Sequence, residues 1–209
     1  MSGPPDTAPD AAPDAALEAF LALVAEKGYG GVTLRDVGAA SGQGVAELYR
    51  LYRDKPALVR AFLRRVDAAV LAGTASTLDS EETARDRLFD VMMRRYDALR
   101  PHRAAVAAVR RAATRDPALA LELAPALRRS MAAMLEAAAV PSDGLPGLLR
   151  LGGLLALHHA VSRVFETDET ADLSKTMAAL DSRLKNAERW GQRLDKIGKK
   201  DPPPAPGAA

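Results

Sequence analysis

The chain has 209 residues, 48% of them hydrophobic but only 4% aromatic, and its 29 basic and 27 acidic residues leave a formal net charge of +2. A core made largely of Ala, Leu, Val and Met, with few of the aromatic residues that strands favour, points to an all-α protein of one large domain or two small ones. The absence of cysteine excludes disulfides and thiolate metal sites and fits a reducing cytoplasm; no apolar run is long enough to span a bilayer, and the acidic, proline-rich N-terminus lacks the apolar stretch of a signal peptide.

In chain order, residues 1–13 are an Ala, Pro and Asp tract with nothing to bury, expected to be a disordered tail. A helix is predicted from Asp14, with Leu17, Phe20, Leu21 and Val24 on one stripe, ending at Gly28 and Gly30-Gly31. After a motif taken up below, Asp54 caps a longer helix with Pro56 in its first turn and Leu58, Phe62, Val66 and Val70 as its buried edge; Gly73 to Ser80 reads as a break. Ser80, Glu82 and Thr83 start a helix striped by Leu88, Val91, Met92, Tyr96 and Leu99, and Pro101 separates it from a helix through Val106 and Val109. Asp116-Pro117 starts the next, carrying Leu119, Leu123, Leu127, Met131, Met134 and Leu135, with a kink or break expected at Pro125. Pro141 to Pro146 reads as a loop. Leu145 to Phe165 is apolar almost all round, the pattern of a helix that is buried or lies in an interface, and Gly152-Gly153 would let another backbone come close. Leu173, Met177, Leu180, Leu184 and Ala187 mark a last long amphipathic helix ending near Trp190 to Ile197; residues 198–209 are expected to be a disordered tail. There is no internal repeat.

Thr33 to Lys55 organises the rest. Thr33 is a predicted N-cap for a short helix with Leu34 and Val37 on its apolar face. Ser41-Gly42 breaks it, Gly42 supplying the positive φ of a tight turn. Val45, Leu48, Tyr49 and Tyr52 then recur at helical spacing, which leaves Gln43, Ala46, Glu47, Arg50 and Arg53 looking outward. Two short helices, a tight turn and an exposed polar face are what a helix-turn-helix presents to the major groove. Arg35, Arg50, Arg53, Lys55, Arg60, Arg64 and Arg65 crowd this region, against Asp36, Glu47 and Asp54. The arrangement reads either as phosphate-contacting or as a solvated surface.

Phe20, Gly28, Thr33, Val37, Leu48, Tyr49, Tyr52 and Lys55 stand in an order and spacing that resemble the DNA-binding domain of the tetracycline-repressor (TetR) family of bacterial transcription regulators. The chain departs from that family at two places: Ala46-Glu47 replaces its usual Gly-Thr, and Gln43-Gly44 its Val-Ser. Glu47 would oppose phosphate, although it can accept a hydrogen bond from cytosine N4. The resemblance implies a helix-turn-helix DNA-binding domain at 14–56 and a helical ligand-binding and dimerisation domain at 57–197. It implies a ligand-responsive repressor acting as a homodimer on a palindromic, double-stranded operator, with a small apolar effector of unknown identity and no cofactor. Two further stretches, RLFDVMMRRYDAL at Arg87 to Leu99 and DLSKTMAALDSRLKNAE at Asp172 to Glu188, with AELYR at Ala46 to Arg50, resemble alphaproteobacterial TetR-like regulators. That branch is related to the lipid-binding protein of coenzyme Q biosynthesis, so the alternative is a lipid- or isoprenoid-binding accessory protein on the same fold that no longer binds DNA.

Site assignments follow from both lines. For DNA, Gln43, Gly44, Val45, Ala46, Glu47 and Arg50 can meet base edges, while Thr33, Arg35 and Lys55 sit at helix starts where phosphate is held. The residue matching Tyr49 touches phosphate in the family, a role served by a ring in the core with its hydroxyl outward; a purely structural tyrosine fits the same pattern. The implied ligand pocket is assigned to Met92, Tyr96, Met131, Met134, Leu135, His158 and Phe165, which are equally consistent with ordinary core packing. Paired C-terminal helices form the dimer seam in the family, which assigns Leu148, Leu151, Leu155, His159, Met177, Leu180 and Leu184 to it; the competing reading is the core of a monomer. Adjacent His158 and His159 point about 100° apart on a helix, so they do not make a metal site, and none is expected. No phosphate-cradling glycine loop is present. Ser182 to Lys185 matches Ser-x-x-Lys without its companion motifs, so no enzyme is indicated.

Overall fold

The computed structural model describes residues 11–74 and 82–198. Among them the secondary structure is helical throughout: α1 Ala11–Lys27, α2 Leu34–Ser41, α3 Val45–Tyr52, α4 Lys55–Thr74, α5 Ala84–Leu99, α6 Arg103–Arg115, α7 Pro117–Ala137, α8 Gly144–Phe165 and α9 Ser174–Gly198. Short 3-10 turns precede α2 and α6.

Helix α1 starts ahead of the expected Asp14, because Pro13 falls in a first turn whose N–H groups have no helical acceptor in any case. Gly73 lies inside α4, while most of the break expected from it to Ser80 lies outside the described residues. The expected tails lie outside them too, apart from residues 11–13 and Gly198, whose backbone is helical. Helix α8 begins at Gly144, so the loop before it is shorter than the predicted Pro141 to Pro146.

Local chemistry sets the helix boundaries. The Asp54 carboxylate accepts from the Ala57 N–H at 2.7 Å to open α4. Thr83 caps α5 through the Asp86 N–H. The Asp116 side chain accepts from Ala118 and Leu119 N–H groups ahead of Pro117. Contrary to the break expected at Pro125, α7 runs through it. Pro125 and Leu121, whose carbonyl loses its partner, both face outward, so water can take the bond that the ring removes.

One apolar core runs through the molecule, from Leu17, Phe20 and Val24 of α1 to Leu180 and Leu184 of α9. Helices α1 to α3 form the head and α4 leads from it into the body, packing along α5 and α7. The head also rests on the body directly, α1 against α6. Within the body, Arg95 of α5 is 1% exposed and donates to Asp67 of α4 at 2.6 Å; the Ser130 hydroxyl of α7 donates to the same carboxylate oxygen, also at 2.6 Å. Three arginines hold the loop between α8 and α9. Arg100 donates to the Ala171 carbonyl, Arg103 to the Asp168 carbonyl, and Arg110 makes a two-pronged pair with Glu166.

The Asp168 side chain is itself buried in that loop. Burial pushes its pKa up, but hydrogen bonds from Thr170 and Thr176, side chain and backbone, more than offset this and hold it at about 2.

Candidate nucleic-acid interface and ligand cavity

The motif at residues 33–55 folds as its chemistry dictates. The Thr33 hydroxyl accepts from the Asp36 N–H at 3.2 Å, and the Asp36 carboxylate accepts from the Thr33 N–H at 2.8 Å, a reciprocal capping box. Hydrogen bonds to the Asp36 carboxylate from the Thr33 hydroxyl at 2.7 Å and from the Thr33 N–H hold it below the usual range. Gly42 ends α2 at φ 71°, in the left-handed region. Gly38 carries no side chain where a Cβ would stand 2.8 Å from the Gln43 carbonyl oxygen, so the turn closes tightly on α2. Replacing Thr33 by Ala is expected to cost about 1 kcal/mol of stability, measured by urea denaturation; an unchanged midpoint would show that the cap contributes nothing.

Only Leu48 and Tyr52 of α3 are buried. Val45 and Tyr49, expected on the inner stripe, are exposed, Tyr49 by 62%. An eight-residue helix lying across α2 and α4 buries one narrow edge, an i, i+4 pair, and turns the rest outward. The Tyr49 ring is therefore on the surface and not in the core. Gly44, Val45, Ala46, Tyr49 and Arg50 form an exposed face with Glu47 half-buried beside it. Arg50 donates to Glu47 at 2.5 Å along this face. Gln43 is half-buried at the turn.

At the edges of the face, Arg35 is exposed at the start of α2 and forms no ion pair among the described residues. Lys55 is held in place: its ammonium donates to the Tyr29 carbonyl at 2.9 Å and lies 4.6 Å from the centre of the Tyr29 ring. Burial lowers the Lys55 pKa and raises that of Tyr29 to about 12. Thr33 spends its hydroxyl and N–H on Asp36. Both residues thus position the helix starts in addition to any contact they make.

A cavity of about 470 Å³ lies where α1, α4, α6, α7 and α8 meet. Its walls are almost wholly apolar: Phe20 and Leu21 of α1, Val59, Phe62 and Leu63 of α4, Val106, Val109 and Ala113 of α6, Ala120, Leu123, Ala124 and Leu127 of α7. The polar lining is confined to Arg110, Thr114, His158, His159 and Ser162. Of the residues assigned to a pocket from sequence, His158 alone lines it. Met92, Tyr96, Met131, Met134, Leu135 and Phe165 are buried in the core, because large side chains at helical spacing fill space. The void lies where Ala113, Ala120 and Ala124 leave it open.

His158 accounts for the polar edge. Its Nδ1 lies 3.2 Å from the Tyr96 hydroxyl, which also meets Ser162. Burial, with Arg95 and His159 adding repulsion, pushes its pKa down to about 3, so the ring is neutral. Burial raises the pKa of Tyr96.

Helix α8 is two-faced, not buried all round. Gly147, Leu151, Leu154, Leu157, Val161 and Phe165 pack inward, whereas Leu145 and Leu149 are 71% and 69% exposed, beside Leu148, Gly152 and Ala156. Of the residues assigned to a dimer seam, Leu148, His159 and Met177 are exposed and Leu155 is half-buried. Leu151, Leu180 and Leu184 are buried within one chain and offer no surface to a second. No helix among the described residues is long and apolar enough to cross a membrane, and no cluster of three His, Asp or Glu side chains there could hold a metal ion.

The fold is thus an N-terminal helix-turn-helix DNA-binding domain on a larger all-helical body. Residues 16–62 match the family model described as bacterial regulatory proteins, tetR family. In structure the chain is similar to a TetR transcriptional regulator from Nitrosomonas europaea, with 20% identity, 85% of this chain and 98% of that chain covered, and a TM-score of 0.70. GusR of Salmonella enterica has 19% identity over 87% of this chain and 97% of that one, with a TM-score of 0.60. The regulator FadR from Bacillus subtilis, in complex with stearoyl-CoA, has 15% identity over 82% and 95%, with a TM-score of 0.57. No curated protein matches the chain in sequence.

Proposed function

We propose that the chain is a TetR-type transcription regulator of the cytoplasm. In this reading it is a repressor that binds a palindromic operator as a homodimer and responds to a small apolar effector in the cavity. The observation that carries the reading is the complete helix-turn-helix, capped by Thr33 and Asp36, turned at Gly42, and presenting α3 outward. Gly44, Val45, Ala46, Glu47, Tyr49 and Arg50, with Gln43 at the turn, would enter the major groove. Arg35 would meet phosphate, and Thr33 and Lys55 would set the helix starts that lie against the backbone. Footprinting on the promoter of its own gene tests this. Protection of two half-sites one helical turn apart, weakening as salt rises, is expected. No protection at low salt, with lipid co-purifying, would instead support the accessory-protein reading.

Glu47 sharpens the test. It occupies Arg50, the cation most central to the exposed face. Glu47→Ala is expected to raise affinity for non-specific DNA and to steepen the salt dependence by about one counterion. Unchanged affinity and slope would mean that α3 does not approach phosphate.

For the dimer, the outer face of α8 with the exposed part of α9 is the surface we assign. Leu145, Leu148 and Leu149 form an apolar edge on the fold that a second copy would cover. Leu148→Glu combined with Leu149→Glu is expected to give folded monomers in analytical ultracentrifugation with much weaker operator binding. Retention of the wild-type mass would move the seam elsewhere.

A further inference from the structure

We infer that the cavity selects an uncharged amphiphile: an aliphatic molecule with one neutral hydrogen-bonding end, such as an alcohol, ester or ketone. The inference rests on the regulator reading only in supposing that the cavity is a ligand site, and it names the chemistry of what enters.

The argument comes from which polar groups are already engaged. Arg110 is the one arginine or lysine among the described residues lining the void, and its charge is already balanced by Glu166, which accepts from Nε and from Nη2, the latter at 2.5 Å. An incoming carboxylate would share that guanidinium with Glu166, whose side chain is 8% exposed, setting two like charges side by side away from water, or would lie in an apolar wall with no counter-charge. Either is unfavourable. A cationic ligand fares no better, since no carboxylate lines the cavity. Thr114, His159, Ser162 and His158 remain, and His158 is held neutral by its burial. With Nδ1 on the Tyr96 hydroxyl, Nε2 is the ring atom that can meet a bound molecule, and a neutral imidazole nitrogen suits a hydroxyl or carbonyl. The polar lining comes from α6 and α8, while the α1, α4 and α7 walls are aliphatic and aromatic. One end of the ligand is therefore polar and the remainder is not. A void of about 470 Å³ lies in the range that holds a drug-sized molecule.

Calorimetry on the full chain, without DNA, tests the inference with four probes built on ten carbons: decanol, methyl decanoate, decanoate and decyltrimethylammonium, each below its solubility limit or micellar concentration at mildly alkaline pH. Decanol and methyl decanoate are expected to bind at least about tenfold more tightly than either ion, a difference of about 1.4 kcal/mol. His158→Phe should reduce the advantage of decanol and leave the weak binding of the ions unchanged. Decanoate or the ammonium binding as tightly as decanol would overturn the inference, as would no binding by any probe. The wild-type series needs no variant to fold. Because DNA is absent, failure here leaves the footprinting result standing, and failure of footprinting leaves this result standing.

Discussion

Asp67→Ala is expected to destabilise the protein by about 3–5 kcal/mol. The reason is what it leaves behind. Arg95 is 1% exposed and Asp67 is its only ion-pair partner among the described residues; Ser130 also loses its acceptor. A guanidinium stranded between α4, α5 and α7 keeps the whole cost of leaving water, which burial shows by lowering its pKa even with Asp67 present. Removing both charges removes that cost. Asp67→Leu with Arg95→Met is therefore expected to recover most of the loss in urea denaturation. A double variant as unstable as Asp67→Ala would show that the pair stabilises by more than its own neutralisation.

Acid is expected to produce the second large effect, through His158. Its pKa falls from the ordinary 6.5 to about 3 in the fold. Below pH 6.5 the unfolded chain takes up a proton that the folded chain refuses, so stability falls as pH falls, by roughly 1.4 kcal/mol per pH unit. The loss continues until the folded ring itself protonates near pH 3. His102, also depressed by burial, adds to it in the same direction. Below about pH 4 Asp168 joins them: its folded pKa of about 2 lies under the ordinary 3.8, so its contribution is present above that value and disappears on the way down to 2. Urea midpoints followed from neutral pH to about 4 should show a steady decline that His158→Phe flattens. An equal slope in the variant would place the titrating group elsewhere.

The head was legible in the sequence because its determinants are local. Thr33 and Gly42 act on backbone groups within a few positions of themselves, and the helical period places Leu48 and Tyr52, although it put Val45 and Tyr49 on the same inner stripe. The cavity was not legible, because it is an absence shared by several helices. Met131, Met134 and Phe165 announce themselves by size and fill the core; Ala113, Ala120 and Ala124 leave room and look unremarkable one at a time. The fourfold spacing of Ala120 and Ala124 on a face opposite Ala113 was the available signal, and it becomes meaningful only once α6 and α7 are known to be neighbours. Helix α8 failed differently. Being apolar on all sides does not say which side meets the rest of its own chain, and that decided against Leu151 as a surface residue. Pro125 shows a local rule softened by exposure: the ring removes a bond, but on the side where solvent supplies another.

The arginines that hold the α8–α9 loop have a mechanical consequence. Arg103 and Arg110 belong to α6 and Arg100 immediately precedes it; together they rivet the α8–α9 loop to that helix, while α1 of the head leans on the same helix. In an assembly joined through α8 and α9, one short rod would therefore carry both the shared hinge and the reading tip of each half. A molecule wedged against that rod would alter the stride between the two tips without any other helix having to pass the displacement along.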